Sequence, residues 1–242
     1  AQGRLTGVIE LVPLANPIGL GQMLQASHQG RFELASGKNF NRDFFALAEA
    51  IAPALEGCLG PDGPTNVRLI RTAMLAALDA LPPAASELQG LQRLLLRHAC
   101  DADLVLDLHC DFDAVVHLYL LPQQWSQLRS LAARLQAGAV LTMEDSGGGS
   151  FDENCALPWL HLSRRFPEAT IPLACLAVTV ELGGMADTER PRAEASAEQI
   201  LAFLAEQGLI AGDWPSAPEP CCEATPFAGT QYAYAPHAGV VS

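Results

Sequence analysis

The run Ala174 to Leu182, ACLAVTVEL, constrains this chain more than any other stretch. Every residue from Ala174 to Val180 except Thr179 is Ala, Cys, Leu or Val, so the run predicts a short strand buried on both faces. Such a strand needs a layer packed above it and another below. Two further runs, Asp103 to His109 (DLVLDLH) and Ala114 to Leu121 (AVVHLYLL), are also short and rich in Val and Leu, and Ala139 to Thr142 reads the same way. Helical spacing supplies the layers. Phe44, Leu47, Ala48, Ile51 and Leu55 repeat at that period, as do Val67, Ile70, Met74, Ala77, Leu78 and Leu81, then Leu88, Leu91, Leu95 and Ala99. A fourth helix carries Trp125, Leu128, Leu131 and Leu135 and stops at Gly138; a fifth covers Phe151 to Phe166 with an interruption at Pro158; a sixth runs from Ser196 to Gln207. The alternation predicts an α/β fold, a three-layer α/β/α sandwich around a mixed, mostly parallel central sheet.

Two regions fall outside this pattern. Val8 to Val12 reads as a strand ending at Pro13, and an irregular stretch then continues to Asn41, long enough to be functional. Ser146 to Ser150 (SGGGS) reads as flexible, and it lacks the Lys-Ser/Thr of a phosphate loop. After Gly208 the prolines at 215, 218, 220, 226 and 236 mark a linker. We therefore expect one α/β domain over 1–208, and over 209–242 a linker leading into a second, truncated β domain. Residue 1 is Ala, and Gly239 to Ser242 read as a strand just beginning, so a chain cut at both ends is expected.

Fourteen basic against 27 acidic residues give a net charge of −13, which disfavours nucleic acid and anionic membrane surfaces as partners. Leu11 to Gly30 has no charge, but its prolines, glycines and glutamines make it a loop and not a span. The seven cysteines are odd in number and lack metal-ligand spacing, which fits free thiols in a reducing, cytoplasmic setting. Homo-oligomerisation stays open.

In an open α/β sheet, reactive groups collect at the carboxyl ends of strands. Alternation along DLVLDLH puts Val105, Asp107 and His109 on one face, with His109 at the end, where an imidazole can bind a divalent metal and Asp107 can orient it. A structural histidine is the alternative. Glu181 closes the apolar strand, and desolvation there raises a carboxylate toward the range useful for proton transfer; the alternative is a group that simply reaches solvent. Asn41 and Arg42, in GKNFNRDF, can grip a carboxylate, or else cap and flank the next helix. Arg31 is a further cation on the same loop. His117 and Tyr119 share a strand face beside these groups, and Cys110 is a candidate nucleophile without a placed base.

Taken in order, Asn16-Pro17, Gly30-Arg31-Phe32, NFNR, LDLHCD and TVELGG resemble the succinylglutamate desuccinylase/aspartoacylase family, relatives of the zinc carboxypeptidases, over about residues 3 to 184, with a weaker echo at Ala235 to Val241. The resemblance implies a carboxypeptidase-like fold and one catalytic Zn²⁺, bound by the His and Glu of an H-x-x-E motif and by a second His matching His109. It implies that Glu181 is the general base and acid, that Asn41 and Arg42 hold a substrate carboxylate, and that Arg31 polarises the scissile carbonyl. The implied reaction is hydrolysis of the amide bond of a small N-acylated amino acid or related amine. No H-x-x-E occurs in the 242 residues, and the family places it ahead of the segment Val8 to Val12, so it is expected upstream of Ala1. The competing class is a carboxylate-binding pseudoenzyme on the same scaffold without metal; a third is a cysteine hydrolase acting through Cys110.

Overall fold

The computed structural model describes residues 4–234, 236 and 237. Its centre is a five-stranded sheet: β1 (Leu104–Asp111), β2 (His117–Leu120), β3 (Ala139–Thr142), β4 (Leu176–Gly184) and β5 (Ala224–Pro226). The spatial order is β1-β4-β2-β3-β5. Three pairings are parallel and one, β2 with β4, is antiparallel, so the sheet is mixed and mostly parallel. Six helices flank it: α1 (Leu47–Leu55), α2 (Gly63–Asp79), α3 (Glu87–Ala99), α4 (Trp125–Arg134), α5 (Phe151–Arg165) and α6 (Arg190–Glu206).

Period-2 alternation divides the core in two. Val105 and Ala177 on one face of the sheet join Ile51, Ile70, Leu96 and Trp159 from α1, α2, α3 and α5. Val178 and Val180 on the other face join Leu118, Leu128, Leu131 and Phe203, under α4 and α6. This is the three-layer sandwich expected from the alternation of elements. Asp62 and Ser86 cap α2 and α3 by accepting from the N–H groups of Thr65 and Gln89, each at 3.1 Å.

The structure corrects several local expectations. Val8 to Val12 is not a strand: no described strand lies beside it, and Val8 and Leu11 are 92% and 78% exposed. A β-type side-chain pattern needs a neighbour for its backbone, and only Arg4–Leu5 finds one, pairing with Ile210–Ala211. Pro158 does not interrupt α5, which continues to Arg165. Helix α6 starts at Arg190, six residues before the expected start, with a proline in its first turn. The SGGGS segment is not free but hydrogen-bonded at several points. The segment after Gly208 returns to the main sheet as β5, and the strand expected at Gly239 to Ser242 lies outside the described residues. No helix among the described residues is long and apolar enough to cross a membrane.

Two buried polar residues tie loops to this frame. Asn66, 1% exposed, donates to the carbonyls of Gly60 (2.7 Å) and Thr170 (2.8 Å) and accepts from the Gly60 N–H (3.1 Å). Asn66→Ala leaves these groups unpaired and should cost about 2 kcal/mol of unfolding free energy in denaturant titration. Arg134, at the end of α4, pairs with Glu206 of α6, and its hydrogen bond holds the Glu206 carboxyl below its ordinary value of 4.5. A depressed acid stabilises the fold above that value and loses its contribution as pH falls below it. Glu206→Gln should therefore lower Tm at pH 7, with the gap to the parent closing as pH drops through and below the ordinary glutamate range.

Candidate active site

Register brings the polar ends of three strands into one row. Glu181 on β4 lies opposite His109 on β1 and, from the other side, opposite His117 on β2. Two residues along each strand, Asp107, Thr179 and Tyr119 form a second row. Partners in register project from the same face, so both rows look toward the α5 side of the sheet. His117 is buried, and its Nδ1 lies 2.8 Å from the Val115 carbonyl, which fixes the ring. The His117 and Tyr119 rings meet edge to face at 5.2 Å.

His109 Nε2 lies 2.8 Å from Asp107 Oδ2, close enough for an ion pair but off the line of a hydrogen bond. Burial works against a charged His109, yet Asp107, then Glu181 and Asp152, outweigh it and raise the imidazole above its ordinary value. Burial pushes the Glu181 carboxyl up; the two imidazoles pull it back, while Asp111 and Asp107 add to the rise. Glu181 Oε2 and Asp107 Oδ2 are both buried without a hydrogen-bond partner. Cys110 is exposed, and burial of its thiol together with Glu181 and Asp111 raises its pKa, which opposes the thiolate that a nucleophile needs.

Beneath these rows stands the N-terminus of α5. Asp152 is buried there, accepts from Ser150 Oγ at 2.6 Å, and lies within electrostatic reach of Asp107 and His109. Burial raises its pKa, partly offset by the Ser150 hydrogen bond. Asp152 and the precise placement of His117 escaped the sequence reading. A histidine in a strand leaves a trace in the alternation of faces, whereas Asp152 is an ordinary first-turn acid whose proximity to Asp107 has no sequence signature.

Asn41 belongs to the same helix end. Its Oδ1 accepts from the Phe151 N–H at 2.8 Å, so it does not cap the helix that follows it in sequence but one 110 residues away. Because a backbone N–H can only donate, the amide orientation is fixed, and Nδ2 is left as a donor. Arg42 Nη1 donates to the Asn41 carbonyl at 2.6 Å. Arg31 is brought beside this pair by a small hairpin: Phe40 N–H donates to the Arg31 carbonyl (3.1 Å), and Phe32 bridges Asn39. Its exposed guanidinium lies 6.0 Å from the Phe32 ring centre, and no contact among the described residues joins it to His109 or Glu181. The structure thus assembles Asp107, His109 and Glu181 in one cluster and links Asn41 and Arg42 to it through α5, with Arg31 at the margin.

A sequence model of the succinylglutamate desuccinylase/aspartoacylase catalytic domain matches residues 1–207. The chain belongs to this family. Its structure is similar, with a TM-score of 0.78, to that of a succinylglutamate desuccinylase/aspartoacylase family protein from Shewanella amazonensis; the two are 27% identical over 95% of this chain and 63% of that one. A protein described as a succinylglutamate desuccinylase/aspartoacylase from Shewanella frigidimarina gives 0.74 and 26% identity, over 93% of this chain and 61% of that one. The chain therefore spans less than two thirds of the length of both relatives. A comparison with curated proteins returned no match.

Zinc in a catalytic site takes three protein ligands. Among the described residues no group of three His, Cys, Asp or Glu side chains converges as a ligand set. His109 fits the part of one ligand, since Asp107 Oδ2 lies beside Nε2 and Nδ1 is left to bind, and the unpartnered Glu181 Oε2 near it favours a cation there. The capping role of Asn41 is open to test: Asn41→Ala should reduce stability by about 1 kcal/mol in denaturant titration, the cost of losing a helix cap.

Proposed function

We propose that this chain carries most of the catalytic domain of a deacylase, a hydrolase that cleaves the amide bond of a small N-acylated amino acid or related amine. The observation that carries the reading is Glu181: a carboxylate in the C-terminal half of a central strand, with its pKa raised by burial and one oxygen without a partner, in a chain of this family. In this reading Glu181 takes a proton from the attacking water and returns it to the leaving amine. His109 would contribute one ligand to a Zn²⁺ site, and a metal so held would acidify water and polarise a carbonyl.

The other residues bind and orient. The Asn41 Nδ2 and the remaining Arg42 donors face the chemistry of a carboxylate, which Arg can grip in two places. Arg31 supplies positive charge for the oxygen of the scissile carbonyl, where negative charge develops. His117, fixed by the Val115 carbonyl, lies opposite Glu181 and steadies its charged form. The rise in the Cys110 pKa speaks against a thiol nucleophile.

The test uses the full-length protein and a panel of N-acyl amino acids. Glu181→Gln should keep the fold and lower kcat by about 10²- to 10⁴-fold, the usual range for a lost general base. Hydrolysis at the parent rate by this variant would remove Glu181 from the chemistry. Arg42→Ala should raise KM for substrates bearing a second carboxylate and leave kcat nearer the parent value. Tight carboxylate binding without hydrolysis, in protein that takes up no zinc, would make the chain a binding module.

A further inference from the structure

The three consecutive glycines at 147 to 149 have different reasons to be there. Gly147 and Gly149 have φ of 73° and 55°, the left-handed region that favours glycine. Gly148 has no such φ, so its backbone admits a side chain. What lacks room is the space in front of it. A Cβ on Gly148 would stand 2.6 Å from Arg42 Cδ and 2.7 Å from Arg42 Nε, while the next atom, Ser146 Oγ, is at an ordinary 3.5 Å. The stem of Arg42 therefore lies directly against the bare face of Gly148.

The loop that carries Gly148 is itself held. Glu153 Oε1 accepts from the Ser146 N–H (2.6 Å), and Oε2 accepts from Ser146 Oγ (2.9 Å) and the Ser150 N–H (3.2 Å). The segment carrying Arg42 is tied to it in turn: Asp43 N–H donates to the Gly148 carbonyl (3.0 Å) and Phe44 N–H to that of Gly149 (3.1 Å). On its far side Gln92 Nε2 donates to the carbonyls of Phe40 (3.2 Å) and Arg42 (2.7 Å). Backbone and side chain of Arg42 are thus gripped from two directions.

We infer that Ser146 to Ser150 is a clasp that sets the position of the Arg42 guanidinium, with Gly148 and Glu153 as positioning residues. Gly148 decides where the stem lies, and Glu153 keeps the loop in the shape that presents Gly148. The meaning of the clasp for substrate rests on the proposed role of Arg42 in carboxylate binding; its existence does not. A planar fork tolerates little misdirection, and a displacement of about 1 Å at such a group can cost on the order of 10² in rate.

Gly148→Ala is the direct probe, because the backbone admits Ala and the atoms it meets sit on a flexible side chain that can move without unfolding the protein. Glu153→Gln is the second, since it replaces one acceptor oxygen with an NH2 donor, which then faces either the Ser146 or the Ser150 N–H. In arginine-labelled protein the Nε–Hε resonance of Arg42, assigned by its loss in Arg42→Ala, should shift in both variants, and in Gly148→Ala it should do so with Tm near the parent value. In the full-length protein Gly148→Ala should raise KM for a dicarboxylate N-acyl amino acid such as N-acetylaspartate about tenfold, with a smaller effect on kcat, and should add nothing in an Arg42→Ala background. An unmoved Arg42 resonance, or additive effects in the double variant, would overturn the clasp. A shifted resonance in a parent that hydrolyses none of the N-acyl amino acids would keep the clasp and remove the proposed function instead.

Discussion

The N-terminus of α5 is the constraint on which the rest of the site depends. A helix begins with N–H groups that its own backbone cannot satisfy. Here those near the sheet are met from inside and outside the helix: Glu153 takes the Ser150 N–H, and Asn41 takes that of Phe151. The second bond carries a loop segment 110 residues away onto the helix. With it come Arg42, docked on the glycine loop, and Arg31, joined to Phe40 across the hairpin. The same turn of helix buries Asp152 within electrostatic reach of Asp107 and His109. One set of unmet donors thus joins the carboxylate-binding segment to the strand ends.

The balance at Glu181 comes from strand direction. Strand β2 runs antiparallel to β4, so His117, near the start of β2, arrives at the end of β4, where parallel β1 already delivers His109. Glu181 then has an imidazole on either side, and burial and charge act on it in opposite senses, with burial the larger. Had β2 been parallel, its first residues would lie at the opposite end of the sheet, and the row would hold one imidazole. The arrangement also concentrates acids: Asp107, Asp111 and Asp152 all act on the same cluster, which makes it a strongly anionic end of the sheet, suited to a cation. The arginines stand on the loop side, so the two signs of charge occupy different elements.

Much of the frame was legible in the chain because its signals are local. The apolar run into Glu181, the alternation in DLVLDLH and the helical spacing over residues 44 to 99 depend on neighbours a few residues apart, and the structure contains those elements. Readings failed where a partner decides the conformation. Val8 to Val12 has strand chemistry, but its backbone has no described strand to pair with. SGGGS has the composition of a free loop, yet its bonds go to Glu153 and to Asp43 and Phe44, residues that composition does not point to. Asn41 shows both sides: its chemistry suits a helix cap, but the helix end it meets is that of α5 and not of the helix that follows it in sequence.

From residue order alone, the chain determined its layers, the face of β1 on which His109 stands, the apolar run that partly buries Glu181, and the order of motifs that marks its family. These follow from side-chain periodicity and from the chemistry of single groups. Tertiary structure decided which groups meet: His117 across from Glu181, Asp152 below Asp107, Asn41 on the end of α5, and Arg42 against Gly148. Those meetings depend on strand order, strand direction and the demand of buried donors for acceptors, and each is settled between segments tens of residues apart, beyond the range of any local pattern.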